Sequence, residues 1–418
     1  MAERPTPLRA AGLAALVLSA LAACATGPAP AETSPMGAAA PVSFDRWLAS
    51  FRAEARAAGV SEATLDATLT GLEPNERVTE ANDNQPEFAR AVWDYLDSAV
   101  SETRVANGRK RLAENRAELE AIERDYGVDA ETIVAIWGLE SAYGEIMGDY
   151  DTFRALATLA WRGRRTAFGR TQLLGALNMV DAGYATREQV TGSWAGAMGH
   201  TQFIPTTYLA YAVDRDGDGR RDIWSTLPDV FASTANYLAA SGYERDEPWG
   251  FEVRLPDGFD YSEASLSVRR PLIEWYAAGV ARPGGAAVTQ GVDPNAPASI
   301  VAPAGAGGPA FIVLGNFRAI LAYNRATYYA LAISLLSDAV AERPYTVVQD
   351  WPRDDAALTL SQRKQLQAAL NERGFGAGPV DGIVGSGTRD ALRRWQRSVG
   401  LPEDGYPSLK VLERLLAS

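Results

Sequence analysis

Apolar and polar positions follow a helical period over most of the chain. From Ser43 the text FDRWLASFRAEARAAGVSEATLDATL repeats apolar residues every three or four positions. In RVANGRKRLAENRAELEAIERDYGV, Leu112, Leu119, Ile122 and Tyr126 keep one face while charges cover the others. Gly127 closes that helix. Asp129 as N-cap, with Glu131 in the first turn, predicts a new start at about Ala130, and Gly144 is its expected stop. In this helix Ile133, Ile136, Trp137 and Tyr143 share a stripe, and Glu140 falls in the same stripe. Further helices are expected to about Gly183, from Pro228 to Ala240, and as a pair in FRAILAYNRATYYALAISLLSDAVA. Strand-like text is scarce: GFEVRL, SLSVRR and AFIVLG are the candidates. Between Arg282 and Pro309 the chain turns to Pro, Gly and Ala, which reads as a long surface excursion.

After Glu342, RPYTVVQDWPRDDAA reads as a linker. The last sixty or so residues form a separate unit, with LSQRKQLQAALNERGF and GSGTRDALRRWQRSVGL as amphipathic helices around the turn-rich GPVDGIVG. EDGYPSLKVLERLLA then repeats the loop-and-helix scheme. The fold class expected is mainly α (α+β): a multi-helix body with a small β part and a small three-helix C-terminal domain. The expected boundaries are 1–23 leader, 24–42 tether, 43–342 body, 343–357 linker and 358–418 C-terminal domain.

Composition narrows the chemistry. With 418 residues, 47% hydrophobic and 22% charged, the chain has the make-up of a globular protein of two or three domains. Its net charge of −12, without a long basic run, argues against a nucleic-acid partner. One cysteine and one histidine exclude an internal disulfide and leave almost no room for a Cys/His zinc site. A nucleophilic dyad could draw only on His200 or Cys24, so any chemistry rests on carboxylates. MAERPTPLRAAGLAALVLSALAAC has the form of a secretory signal. Its end, LAAC, resembles the bacterial lipobox, in which Cys24 would be lipidated. An ordinary cleavage after the Ala20-x-Ala22 pattern is the alternative.

Glu140 is the first candidate. Burial disfavours the charged carboxylate and raises its pKa, which suits a general acid near neutral pH. The plain alternative is a glutamate that reaches solvent at the helix end. GSWAGAMGHTQFIPTTYLAYAVDRDGDGRRDIW supplies context: small residues that allow close approach, neutral hydrogen-bonding side chains, and flat aromatic faces. That set suits a sugar chain, and equally a tightly packed turn. No Asp or Glu lies between Gln189 and Val213, so a second carboxylate is missing where a common glycosidase would need one. DRDGDGRRD places Asp214, Asp216 and Asp218 at positions 1, 3 and 5 of an EF-hand-like loop, with Arg220 (by its carbonyl) at 7 and Asp222 at 9. Position 12 is Ser225, so Asp229 is the expected replacement for the closing carboxylate. A structural Ca²⁺ is favoured over a solvated Asp-Gly turn, with no cofactor for catalysis.

IWGLESAYG, GSWAGAMGHTQFIPTTY, DGDGRRDIW, ANYL and AYNRATYYALAI, in this order, resemble the membrane-bound lytic murein transglycosylase B family from about Phe44 to Glu342. The C-terminal unit resembles the peptidoglycan-binding domain through Gly374, Asp381, Gly382, Gly385, Thr388, Trp395, Gln396, Gly400, Leu401, Asp404 and Gly405. The resemblance implies a lysozyme-like body that cleaves the MurNAc–GlcNAc β-1,4 bond without water, leaving 1,6-anhydroMurNAc ends. It implies Glu140 as sole acid/base. It further implies substrate contacts from Arg164, Arg165, Phe168, Ser193, Met198, Gln202, Phe203, Tyr237, Tyr323, Asn324 and Tyr329, although each could instead serve packing. It gives His200 no catalytic role. Peptidoglycan glycan strands are the expected partner, and the protein is expected to be a monomer. Its expected location is the periplasm, held to the outer membrane of a Gram-negative bacterium through lipidated Cys24. A hydrolytic muramidase and a non-catalytic wall-binding scaffold are the alternatives. For the hydrolase, Glu145, Asp149 and Asp151 are the nearest further acids.

Overall fold

The computed structural model describes residues 42–83, 90–163 and 165–418, of which Ser43–Ser418 form one compact unit. The expected leader, the tether up to residue 41, Cys24 and Arg164 lie outside the described residues. Helices dominate, as the period predicts. Ser43, Ser61 and Ser101 cap the helices Phe44–Ala57, Glu62–Leu69 and Glu102–Glu114 through their hydroxyls, and Gly127, at φ 68°, ends Arg116–Tyr126. No helix among the described residues is long and apolar enough to cross a membrane.

The helix Ala130–Ser141 is the axis of the body. Thr132 to Gly138 are buried without interruption, so the apolar stripe read from sequence is really an all-round core helix. Helices Glu102–Glu114, Arg116–Tyr126, Leu227–Ala240 and Thr327–Val340 surround it. Two local expectations are corrected here. Asp129 is the N-cap residue, as expected, but its side chain makes no cap hydrogen bond and instead accepts one from the Tyr243 hydroxyl at 3.0 Å. The helix also stops before Gly144, because Ala142 and Tyr143 already adopt left-handed φ of 50° and 62°. That reversal folds Tyr143 back over its own helix, where its hydroxyl donates to the Arg104 carbonyl at 2.7 Å. A Cβ on Gly138 would sit 2.5 Å from the Tyr143 ring, so only glycine admits it.

A two-stranded pairing joins β1 (Tyr150–Asp151) to β2 (Thr191–Gly192). A four-stranded antiparallel sheet contains β3 (Gly250–Val253), β4 (Arg270–Pro271), β5 (Pro297–Val301) and β6 (Ala310–Val313), in the order β3-β6-β5-β4. GFEVRL and AFIVLG supply β3 and β6, whereas SLSVRR contributes only Arg270 to a strand. The predicted surface excursion is overturned in part. β5 lies inside it, and Ala298, Ser299 and Ile300 are fully buried in a second core with Val253, Leu272, Trp275 and Ile312.

The C-terminal unit has its own core around Leu366, Leu370, Leu392 and Trp395, built by helices Leu360–Glu372, Ser386–Ser398 and Leu409–Ala417. The segment before it is no free linker. Glu252 accepts from the backbone N–H groups of Val348 (2.6 Å) and Gln349 (2.8 Å), and Arg353 pairs with Asp97 at 2.7 Å. Trp351 lies between Trp93 and Phe311.

Candidate active site

Glu140 is the penultimate residue of its helix and keeps partial exposure. The protein packed around its carboxyl pushes the pKa up to about 7, through desolvation of the charged form. One interaction opposes this: the Tyr329 hydroxyl, from helix Thr327–Val340, donates to Glu140 Oε1 at 2.6 Å. No second carboxylate of the described residues acts on the group. Tyr95 and Tyr323 also stand within reach of its charge, and burial raises both their pKa values, as it does for Tyr329. Glu140 is thus a carboxyl among protonated phenols.

The backbone beyond it is anchored tightly. Ala142, Tyr143 and Gly144 are successive left-handed residues, an unusual run separated from Glu140 by Ser141 alone. Ser141 Oγ donates to the His200 carbonyl at 3.0 Å and accepts from Gly144 N–H at 3.1 Å. Trp137 Nε1 donates to His200 Nδ1 at 2.8 Å, and burial lowers the imidazole pKa. His200 is therefore neutral and serves as a strut.

The motif 192–203 packs as a wall against the segment that follows Glu140. Ser193 Oγ accepts from Ala197 N–H at 3.0 Å and so closes a tight loop. Gln202, at φ 51°, donates its amide to the carbonyls of Met147 (3.0 Å) and Gly199 (2.9 Å), joining this wall to the loop after Glu140. Met198 and Phe203 are fully buried, so they support the wall from beneath and offer no surface to a ligand. This departs from the expected contacts. Phe203, Tyr237 and Tyr323 form one aromatic cluster, with Tyr237 and Tyr323 centroids 5.0 Å apart. Both hydroxyls are committed to backbone, Tyr237 to Ala322 O and Tyr323 to Thr201 O, each at 2.6 Å. Asn324 is exposed and accepts from Ala326 N–H through Oδ1 (3.1 Å). Phe168 is half-buried, and the exposed Arg165 holds its guanidinium 5.8 Å from the Trp194 ring.

Sequence reasoning missed Tyr95, which lies on a distant segment with no shared spacing, and gave no role to Ser141, the neighbour of Glu140 in the same motif. Of the further acids, Asp151 caps a helix through Arg154 N–H and pairs with Arg187 at 2.5 Å, while Glu145 and Asp149 are exposed.

In the acidic loop, carboxylate oxygens of Asp214, Asp216 and Asp229 lie within 4.8 Å of one another. Asp229 is fully buried and its pKa is pushed up to about 6 by desolvation. Three converging oxygen donors, one desolvated, fit a hard divalent cation. Asp222 is diverted from the expected set. Its oxygens accept from Trp224 N–H, Ser225 N–H and the Gln189 amide, so it organises the loop instead. Asp218 also lies outside the converging group, its Oδ1 held by Arg220 N–H at 2.8 Å.

The Transglycosylase SLT domain family matches residues 43–338, and a peptidoglycan binding domain family matches 359–415. Membrane-bound lytic murein transglycosylase B of Escherichia coli K12 is 30% identical over 305 residues, 68% of this chain and 79% of that protein. The crystal structure of Pseudomonas aeruginosa SltB3 in complex with NAG-anhNAM-pentapeptide is 49% identical, with a TM-score of 0.86, covering 90% of this chain and 99% of that one. The Escherichia coli lytic transglycosylase Slt35 in complex with calcium is 28% identical, with a TM-score of 0.61, covering 71% and 92%. These matches place the lysozyme-like chain in the SLT-domain family of lytic transglycosylases, with a C-terminal peptidoglycan-binding domain.

Proposed function

We propose that the protein cleaves the MurNAc–GlcNAc β-1,4 bond of peptidoglycan with Glu140 as its sole acid/base. The carrying observation is one carboxyl with its pKa pushed up to about 7 and, among the described residues, no second carboxylate acting on it. Protonated Glu140 gives its proton to the glycosidic oxygen, and the C1–O bond breaks as GlcNAc leaves. The N-acetyl oxygen of the same MurNAc stabilises C1, the role that a protein carboxylate plays in retaining glycosidases. Glu140, now a carboxylate, takes the proton of the O6 hydroxyl while O6 bonds to C1. The 1,6-anhydro ring closes and the acid is restored, with no water consumed. The complex of SltB3 with an anhydro-sugar ligand supports this product class.

Tyr329 aims the carboxyl. Asn324 is the exposed side chain suited to orient the N-acetyl group, since the Tyr323 hydroxyl is already committed. Arg164, Arg165 and Phe168 supply contacts along the glycan. Mass spectrometry of digested sacculi tests the reaction: anhydroMurNAc ends from the parent protein, and none from Glu140→Gln, are expected. Reducing ends instead would make it a hydrolase.

Asp214, Asp216 and Asp229 hold a structural Ca²⁺ that takes no part in the reaction, a reading supported by the calcium complex of Slt35. The chain is exported, lipidated at Cys24 and anchored at the outer membrane. Labelled palmitate should enter the parent protein and be lost in Cys24→Ala; retention of label would refute the anchor.

A further inference from the structure

The C-terminal domain uses one motif twice. Gln367, on helix Leu360–Glu372, brackets the turn Asp381-Gly382: Nε2 donates to Asp381 Oδ1 at 3.0 Å, and Oε1 accepts from Gly382 N–H at 2.7 Å. Gln396, on helix Ser386–Ser398, does the same to Asp404-Gly405 at 2.6 and 2.8 Å. Each aspartate Oδ1 also accepts the N–H two residues on, from Ile383 at 2.8 Å and from Tyr406 at 2.9 Å. Both glycines are left-handed, φ 82° and 64°. Each turn then enters the N-cap of the next helix, Gly385 or Ser408.

The surroundings of the two turns differ. The second is docked on the catalytic body. Asp404 Oδ2 accepts Ala306 N–H at 2.9 Å, and Tyr406 packs against the body's core. A Cβ on Gly305 would stand 2.4 Å from Asp404 Oδ2 and 2.6 Å from Tyr406 Cβ. The second turn therefore grips a backbone of small residues, Ala304-Gly305-Ala306. On the first turn the matching positions are open. Ile383, the counterpart of Tyr406, is 60% exposed, with Val380 47% and Leu360 45% exposed. No donor from the described residues is recorded at Asp381 Oδ2.

We infer that the first turn binds a short peptide of small residues, the alanine-bearing stem of peptidoglycan, as the second turn binds Ala304–Ala306. Asp381 Oδ2 accepts a stem N–H, and Ile383, Val380 and Leu360 cover the methyl side chains. The exposed large apolar side chains of this domain are all aliphatic, which suits methyl groups better than the stacking faces of sugar rings. The inference rests on the reading of this domain as wall-binding and adds its ligand and its surface.

Co-sedimentation tests it, using the full mature chain with Glu140→Gln so that sacculi stay intact. Intact sacculi are compared with sacculi stripped of stems by an amidase. Val380→Ser with Ile383→Ser alters only exposed side chains and should weaken binding to intact sacculi by about tenfold, leaving binding to stripped glycan unchanged. Titration of the free stem peptide should shift the amide resonances of Asp381 to Ile383. Unchanged sedimentation of the double variant, or equal binding of its parent to intact and stripped sacculi, would overturn the assignment. The transglycosylase reading is checked apart from this, by anhydro products from a soluble, stem-free glycan with Glu140 restored.

Discussion

A carboxyl that must release its proton near neutral pH needs surroundings in which holding and losing it are nearly balanced. Around Glu140 burial pulls one way and the Tyr329 hydroxyl the other. Only the protonated form can act as acid, so kcat/KM on soluble glycan oligomers should hold below pH 7 and fall above it. Tyr329→Phe removes the bond that favours the carboxylate, so the pKa rises further and the falling limb moves to higher pH. The carboxyl also loses its aim, and kcat should drop by about tenfold or more. A pH–rate profile with an unmoved limb would refute this role. At this scale the sequence was partly legible. A carboxylate in an apolar stripe marks Glu140 at once, because helical spacing is local. Tyr329 lies 189 residues away, and no spacing links it to the acid; only the resemblance pointed to it. Met198 and Phe203 sit in an irregular segment where period says nothing of depth, and both proved to be core.

Among the elements, helices and the strands β3 and β6 were read from the sequence and β5 was not, for one physical reason. An amphipathic helix writes its buried face into a recurring pattern, whereas a short strand buried on both faces has no alternation to show. β5 is such a strand, between β4 and β6, and its Pro297-Ala298-Ser299 text looks like turn. Ser299 is buried there because its hydroxyl donates to Val268 O at 2.6 Å and accepts from Arg318 at 2.7 Å. The acidic loop was legible in its first two aspartates and in the distant Asp229, but Asp222 was drawn into capping Trp224 and Ser225. A cation that binds only the folded loop raises stability by mass action. Millimolar Ca²⁺ should raise the melting temperature by a few degrees, and Asp229→Asn should abolish the rise, with kcat on glycan oligomers independent of Ca²⁺. A melting curve indifferent to Ca²⁺ would reject the site.

Across the whole molecule, the unit that reads as separate in sequence is fastened to the body at several points. The 343–357 segment is held through Glu252, Asp97 and the Trp93–Trp351–Phe311 contacts, and the second Asp-Gly turn is seated on Ala306. A flexible linker would raise local concentration and leave the distance between attachment and cleavage free to vary. This attachment fixes that distance. The domain then works as a gauge as well as an anchor: where it holds the wall decides which bond along a strand lies over Glu140, and successive cuts inherit a common spacing.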